Sequence, residues 1–321
     1  MAVIEAGNLC RWFGKNQALK DVSFSIQEGE IVGMIGPNGA GKSTTMNILC
    51  GYLAPTSGSV SVCGIDMMQH SADARRHIGY LPETPPLYPD MTVEEQIRFA
   101  CRLSGLKKGK ELEERVGELC ERTHTGDMRK RLIRSLSKGY RQRTAMAQLL
   151  AGDPDILILD EPTVGLDPRQ IREFRDLFLE LGKTHTIVFS SHILSEINSI
   201  CDRILVFEKG RLLADGKPED LRNQLQDTVT LRVRIRAAAG DLTDMIRDLP
   251  SAADLRILPC PGETISEYLI AAASEESLSE ELNVLVRRSG ADILMMHTEK
   301  MSLEDIYLQI TEQRGLHEDD L

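Results

Sequence analysis

EGEIVGMIGPNGAGKSTTMNILCG, residues 28–51, decides how the rest of the chain is read. Ile31 to Ile35 is a short apolar run rich in β-branched residues, which suits a buried strand. GPNGAGKS, Gly36 to Ser43, then fits the phosphate-loop pattern GxxxxGK[ST], and Thr44 to Leu49 continues with helix-compatible apolar spacing. Strand, glycine loop and helix in that order are the context the pattern requires. Gly36, Gly39 and Gly41 let successive N–H groups turn inward around an anion, while Pro37, Asn38 and Ala40 complete the loop. The helix behind adds the positive end of its dipole. On this reading Lys42 reaches the β- and γ-phosphates, and the Ser43 hydroxyl ligates Mg²⁺.

A second stretch lies far away in the chain. In DPDILILDEPTVGLDP, residues 153–168, Ile156 to Leu159 reads as an apolar strand ending at Asp160 and Glu161. A carboxylate at the end of a buried strand beside a phosphate loop holds Mg²⁺ directly or through water. The adjacent Glu161 then polarises the attacking water. Read blandly, these are ordinary acids capping a strand; the phosphate loop in the same chain tips the balance.

Composition narrows the class. The chain has 321 residues and a formal net charge of −11, enough for one large domain or two modest ones. The acidic balance argues against nucleic-acid binding, which calls for a basic face. Seven cysteines without a CxxC pair read as buried or free thiols in a reducing compartment, not as disulfides or a zinc site. The start MAVIEAGNLCRWFG has no basic residues leading an apolar run, so no secretory signal is visible, and no 18 apolar residues run together. A cytoplasmic location is expected.

With LSKGYRQR, residues 136–143, standing between the two stretches, the chain resembles the ATP-binding subunit of an ABC transporter over roughly residues 3–225. The motifs come in the family's order: GPNGAGKS as Walker A, LSKGY as the signature usually written LSGGQ, ILILDEP as Walker B, GLDP as the D-loop and SSH carrying the switch histidine. The resemblance implies an α/β P-loop NTPase with a RecA-like core, an antiparallel β subdomain and a helical subdomain over about 85–150. It implies ATP and Mg²⁺ as ligands. Lys42, Glu161 and His192 would be catalytic, His192 by bonding the γ-phosphate and helping to place the water. Ser43, Asp160 and Glu83 would hold the metal. Phe13 in RWFG is the aromatic expected to stack on adenine, with Trp12 as runner-up, and Thr44 and Asp167 join the nucleotide-binding set. Ser137 and Gly139 would close over the γ-phosphate bound by another subunit. Lys138 and Tyr140 depart from the usual glycine and glutamine, yet Ser137 and Gly139 are kept.

Local chemistry agrees with these placements. Ser137 is a good N-cap for a helix with apolar residues at Ala145, Met146, Leu149 and Leu150. Asp167 as N-cap and Pro168 at the first helical position start another, with Ile171, Phe174, Leu177, Phe178 and Leu181 on one face. Thr186 to Phe189 reads as a buried strand leading to His192.

IGYLPETPPLYPD, residues 78–90, contains the departure that matters most: Glu83 stands where the family usually has glutamine. A carboxylate ligates Mg²⁺ at least as well as an amide oxygen, while its charge opposes the triphosphate before metal arrives. Neither effect removes Glu161, so the site reads as retuned rather than dead. YLPE, LSKGYRQR and the LYPDMTV continuation resemble ATPases paired with ABC-2-type membrane subunits, including gliding-motility-associated ones. After Glu83, three prolines make the segment extended; Thr92 and Glu95 then form a capping box. Leu87 and Tyr88 would supply apolar contact where the membrane partner docks in relatives, or serve the subdomain core.

The remaining residues, 227–321, follow the hairpin RILVFEKGRLLADG, turning at Lys209 and Gly210, and the helix PEDLRNQL. TVTLRVRIRA alternates as a half-exposed strand. DLTDMIRDL reads as a helix, EYLIAAA as a strand, EESLSEELNVLVRRSG as a helix, ADILMMHTE as a strand and SLEDIYLQITEQ as a final helix. That order suggests a small accessory α+β domain, of ferredoxin-like kind among the possibilities, with a disordered acidic end HEDDL. A dimer-stabilising or regulatory role and simple packing stay open for it.

The expected function is thus ATP binding and hydrolysis by an energy-coupling subunit. It would power a separate integral membrane permease through ATP-driven closure of a homodimer or heterodimer, on the inner face of the membrane, with export favoured by resemblance. A soluble ABC-type ATPase would call for two phosphate loops, a long coiled coil, a Cys hook or a basic face, and a guanine-specific enzyme for NKxD; none appears in the sequence. A regulatory binder without hydrolysis is disfavoured by the intact Lys42, Asp160, Glu161 and His192.

Overall fold

The continuous apolar runs become buried strands, and the rest of the architecture is arranged around them. The computed structural model describes residues 1–191, 193–225, 229–237, 242–259, 265–299, 304, 306–308 and 310–311. It divides the chain into Met1–Pro218 with Ile310–Leu321, and Glu219–Gln309. The sequence reading places the junction at 226/227, just beyond this division.

In chain order the first unit contains β1 (Ala2–Phe13), β2 (Asn16–Gln27), β3 (Ile31–Ile35), α1 (Lys42–Leu49), β4 (Ser57–Val62), β5 (Ile65–Asp66), α2 (Ser71–Ala74) and β6 (Ile78–Leu81). Next come α3 (Val93–Leu103), α4 (Lys110–Arg122), α5 (Lys138–Leu149), β7 (Ile156–Leu159), α6 (Pro168–Leu181), β8 (Thr186–Ser190), α7 (Leu194–Ile200), β9 (Arg203–Glu208), β10 (Arg211–Gly216) and α8 (Pro218–Leu225), which crosses into the second unit. Two sheets result. One is antiparallel, in the order β2-β1-β4-β5; the other runs β10-β9-β3-β8-β7-β6 and is parallel except for β10.

Every residue of β3, β7 and β8 is buried, as expected of parallel strands covered on both faces. Helix α6 presents Phe174, Leu177, Phe178 and Leu181 to the core, and the Phe178 and Phe189 rings meet edge-on at 5.5 Å. The pairings Met34↔Ser190 and Leu159↔Phe189 bring the C-terminal ends of β3, β7 and β8 to one sheet edge. There the site is built.

Capping fixes the helical part. Thr92 accepts from Glu95 N at 3.2 Å and donates its own N–H to the Glu95 carboxylate at 2.8 Å, closing the box that starts α3. Gln96, buried on α3, accepts from Tyr88 N at 3.0 Å and donates to Gln148 of α5 at 2.6 Å. The extended proline stretch is thereby tied to the helices behind it. Tyr88 packs on Phe99 and stays half-exposed.

The second unit contains β11 (Val229–Arg236), α9 (Thr243–Arg247), β12 (Ala252–Leu258), β13 (Ile265–Ala272), α10 (Glu275–Ser289) and β14 (Asp292–Glu299). Its antiparallel sheet runs β12-β13-β11-β14, the β-α-β-β-α-β arrangement of a ferredoxin-like unit. Leu231, Val233 and Ile235 pack with Tyr268, Ile270, Leu278 and Leu282 in its core. The sequence reading lacks β12. That strand lies at the sheet edge, and its solvent-exposed Asp254 and Arg256 blur the alternation that marks a strand. Glu304, residues 306–308 and residues 310–311 are helical, while the expected disorder of HEDDL falls outside the described residues. Among the described residues no helix is long and apolar enough to cross a membrane.

On the sheet of this unit Glu267 accepts from Arg232 Nε at 2.5 Å and from Arg234 Nε and Nη2 at 3.0 and 2.7 Å. The guanidinium groups of Arg234 and Arg232 hold its carboxyl below the usual range. A depressed carboxylate stabilises the fold fully above the unfolded-state value, about 4.3, and stops doing so as pH falls through the lower folded value. Thermal unfolding followed from roughly pH 5 to 3 is therefore expected to show a shallower loss of stability in Glu267→Gln than in the parent. Equal slopes would mean the carboxyl is not held this way.

Candidate functional site

The loop after β3 fits only where side chains are missing. Gly36 has φ 149°, and a Cβ there would stand 2.2 Å from the Phe207 carbonyl oxygen of β9. Gly41, at φ 112°, sits against β2, where a Cβ would meet Leu19 at 2.7 Å and the Ala18 carbonyl at 3.2 Å. The loop is thus pressed between β9 and the antiparallel sheet, with Gly210 N donating to Ala40 O at 3.0 Å. No side chain caps α1 at Gly41, which leaves the helix dipole open toward the loop.

Lys42, the first residue of α1, is 5 % exposed. Its Nζ donates to Gly36 O at 2.7 Å and Pro37 O at 3.2 Å, and lies 3.9 Å from Glu161 Oε1. Burial lowers the ammonium pKa, and the carboxylates of Glu161 and Asp160 oppose that shift. A buried cation resting on neutral carbonyls is prepared for an anion, because hydrogen bonds to an anionic partner are roughly twice as strong.

Asp160 follows β7 and is nearly buried. Its Oδ1 accepts from Ser190 Oγ at 2.7 Å and from Ser43 Oγ at 3.2 Å, while its N–H donates to Leu81 O at 2.8 Å. Ser190 Oγ also accepts from Glu161 N at 2.8 Å. Glu161 has φ 47°, a left-handed conformation uncommon outside glycine and typical of strained functional positions. This turn brings its carboxylate back toward Lys42. Ser43, Asp160, Lys42 and Glu161, expected from sequence, therefore meet at one edge. Their hydroxyl and carboxylate oxygens make a donor set suited to a hard divalent cation. Ser190 was not singled out by the sequence; only the β8 register places it between the two acids.

The other expected residues distribute around this centre. Phe13 lies at the end of β1, half-exposed, with the Arg11 guanidinium 4.6 Å from the centre of its ring; Trp12 is equally exposed. Asn38 and Gly39 are exposed and Thr44 is half-buried. Glu83 stands exposed beyond β6. His192 lies outside the described residues. Flanking it in sequence, Ser191 Oγ donates to Glu196 Oε2 at 3.2 Å, and Thr163 Oγ1 donates to the same oxygen at 2.7 Å. Glu196 thus joins the segments that follow β7 and β8.

Ser137 caps α5, accepting from Tyr140 N. Asp167 caps α6, accepting from the N–H groups of Arg169 and Gln170 at 2.9 Å each. The two helix starts adjoin: a Cβ on Gly139 would stand 2.8 Å from Gln170, and one on Gly165 would stand 2.5 Å from Lys138 Nζ. So Ser137 and Gly139 are grouped with the Gly165–Pro168 segment.

Residues 19–164 match the family described as ABC transporter. The chain is 34 % identical to an uncharacterized ABC transporter ATP-binding protein, YxlF of Bacillus subtilis, across 94 % of this chain and 97 % of that protein. It is 31 % identical to Nod factor export ATP-binding protein I of Cupriavidus metallidurans across 97 % of each. A solved dimeric ATP-binding cassette in a post-hydrolysis state, bound to ADP and Pi, is 28 % identical and superposes with a TM-score of 0.61 over 67 % of this chain and 98 % of its own.

Ser190→Ala removes the hydroxyl between Asp160 and Glu161. The expected result is a stability loss of about 1–3 kcal/mol and a fall in ATP turnover of about tenfold or more, with nucleotide binding largely kept. Calorimetric melting, fluorescent-nucleotide titration and phosphate release would read the three effects, and full turnover would remove Ser190 from the site.

Proposed function

The chain belongs to the family of ABC transporter ATP-binding proteins, and from that premise we propose that it hydrolyses Mg-ATP at this edge to drive a separate membrane permease of an ABC-2-type exporter. The cassette is an ATP-binding ATPase. The observation that carries the reading is the meeting of Lys42, Ser43, Asp160 and Glu161, from α1 and the end of β7, beside the loop Gly36–Gly41.

In this proposal the loop N–H groups and the start of α1 cradle the phosphates. Lys42 exchanges the carbonyls of Gly36 and Pro37 for phosphate oxygens, and Phe13 stacks on the adenine. Ser43, Asp160 and Glu83 would hold Mg²⁺, which when bound would offset charge on the transferring phosphoryl group. Ser190 keeps Asp160 oriented and fixes the turn from which Glu161 positions and deprotonates water. His192 bonds the γ-phosphate. Ser137 and Gly139 of one copy close over the nucleotide of another copy or a related chain, and that closure is what the permease feels on the inner face of the cell membrane. The likeness to a protein named for Nod factor export supports the export direction.

Glu161→Gln is expected to keep ATP binding while lowering turnover by about 10²–10⁴-fold. It should accumulate as an ATP-dependent dimer in size-exclusion chromatography with light scattering. A monomer under saturating ATP, with an active parent enzyme, would argue against homomeric closure. Glu83→Gln is expected to retain Mg-ATP hydrolysis within about tenfold, roughly 1.4 kcal/mol in the barrier; complete loss in steady-state phosphate release would sink the retuned-site reading.

A further inference from the structure

At the opposite end of the parallel sheet from the nucleotide edge, three different side chains converge. His77 immediately precedes β6 and Asp155 immediately precedes β7, and the pairing Ile78↔Ile156 sets them side by side. Cys63 lies in the turn after β4, held by its N–H donating to Val3 O at 2.8 Å. It adopts φ 51°, a left-handed conformation unusual for a residue with a side chain. One ligand atom from each, a thiol sulfur, an imidazole nitrogen and a carboxylate oxygen, lies within 4.8 Å of the others. His77 Nδ1 and Asp155 Oδ2 are only 2.5 Å apart. The cluster opens onto a cavity of about 390 Å³ that Glu28 also lines.

We propose that Cys63, His77 and Asp155 form a binding site for a borderline divalent transition cation of the zinc type, separate from the nucleotide site. One sulfur, one nitrogen and one oxygen ligand match the tetrahedral preference of Zn²⁺, with water in the fourth position. Bond lengths near 2.3 Å to sulfur and 2.0–2.1 Å to nitrogen require ligand atoms roughly 3.5 Å apart. The three atoms reach that spacing by closing on Cys63 and by opening the His77–Asp155 hydrogen bond, so that the cation takes the place of the shared proton. The scaffold is suited to this: two ligands flank paired strands of the core sheet, and the third sits on a backbone-anchored turn. Burial, with the negative charges of Asp155 and Glu28, pushes the Cys63 thiol up. A divalent cation reverses that electrostatic balance and takes the thiolate. Bound there, it clips the β4–β5 turn of the antiparallel sheet to the edge of the parallel sheet. The donor set separates this site from the nucleotide edge, whose oxygen ligands suit a hard ion.

The test uses the purified full chain, metal-free, without nucleotide and under a non-thiol reductant, titrated with Co²⁺. Expected are tetrahedral cobalt bands and a thiolate-to-cobalt charge-transfer band that saturate at one equivalent and vanish when Zn²⁺ is added. Cys63→Ser should abolish the charge-transfer band without changing Mg-ATPase activity, and Asp155→Asn should weaken cobalt binding at least tenfold. The proposal is overturned if no charge-transfer band appears, or if the band survives in Cys63→Ser and so belongs to another thiol. Should Cys63→Ser not fold, Asp155→Asn decides, because its carboxylate is largely exposed; unchanged affinity in that variant also overturns the site.

Discussion

A single hydroxyl organises the edge of the parallel sheet where Asp160 and Glu161 stand. Ser190 Oγ donates to Asp160 and accepts from the Glu161 backbone, so both acids take their bearings from the last residue of β8. Asp160 in turn orients Ser43 of α1, and the left-handed turn at Glu161 directs its carboxylate toward Lys42. None of these groups is aimed by its own strand or loop alone. Each depends on β3, β7 and β8 ending at a common edge, and that alignment rests on the burial of all three strands. Slipping β8 by one residue would turn Ser190 to the other face of the sheet and leave nearly buried Asp160 without its closest partner.

The phosphate loop, both strands beside it and the caps of α3, α5 and α6 were legible because each rests on short-range rules. Strands Ile31–Ile35 and Ile156–Leu159 are unbroken apolar runs, and Thr92, Ser137 and Asp167 cap helices by chemistry confined to four residues. What the sequence hid depends on pairing across the chain. Ser190 gains meaning only through the register of β8 on β7. The edge strand β12 carries its charges outward and loses the two-residue rhythm that betrayed β11. Cys63, His77 and Asp155 are separated by long stretches of chain and carry no spacing signal. Scanning for CxxC excludes zinc fingers but says nothing about ligands gathered by a sheet.

The start of α5 shows how a long side chain is accommodated in space. Lys138 lays its ammonium over Gly165, a position at φ 71° where a Cβ would stand 2.5 Å from it. Gln170 completes the cap of α6 and at the same time packs against Gly139. The starts of α5 and α6 are therefore interlocked: the long side chain of one rests on the bare backbone of the other. Arg143 and Glu173 join the same two helices further along. Within this chain the two motifs form one piece rather than two loops that merely lie near each other.

Strand β7 has only four residues, yet it ends in an acid on each side, Asp155 before it and Asp160 after it. At about 3.3 Å per residue the two Cα atoms stand roughly 17 Å apart. Both of its edges are hydrogen-bonded, to β6 and β8, and none of its side chains reaches solvent. Such a strand acts as a tie-rod. A close-packed interior has little compressibility, so the four buried residues of β7 fix the separation of the two acids. The strand is a spacer: it holds the acid that precedes it and the acid that follows it at a set distance, one at each end of the sheet.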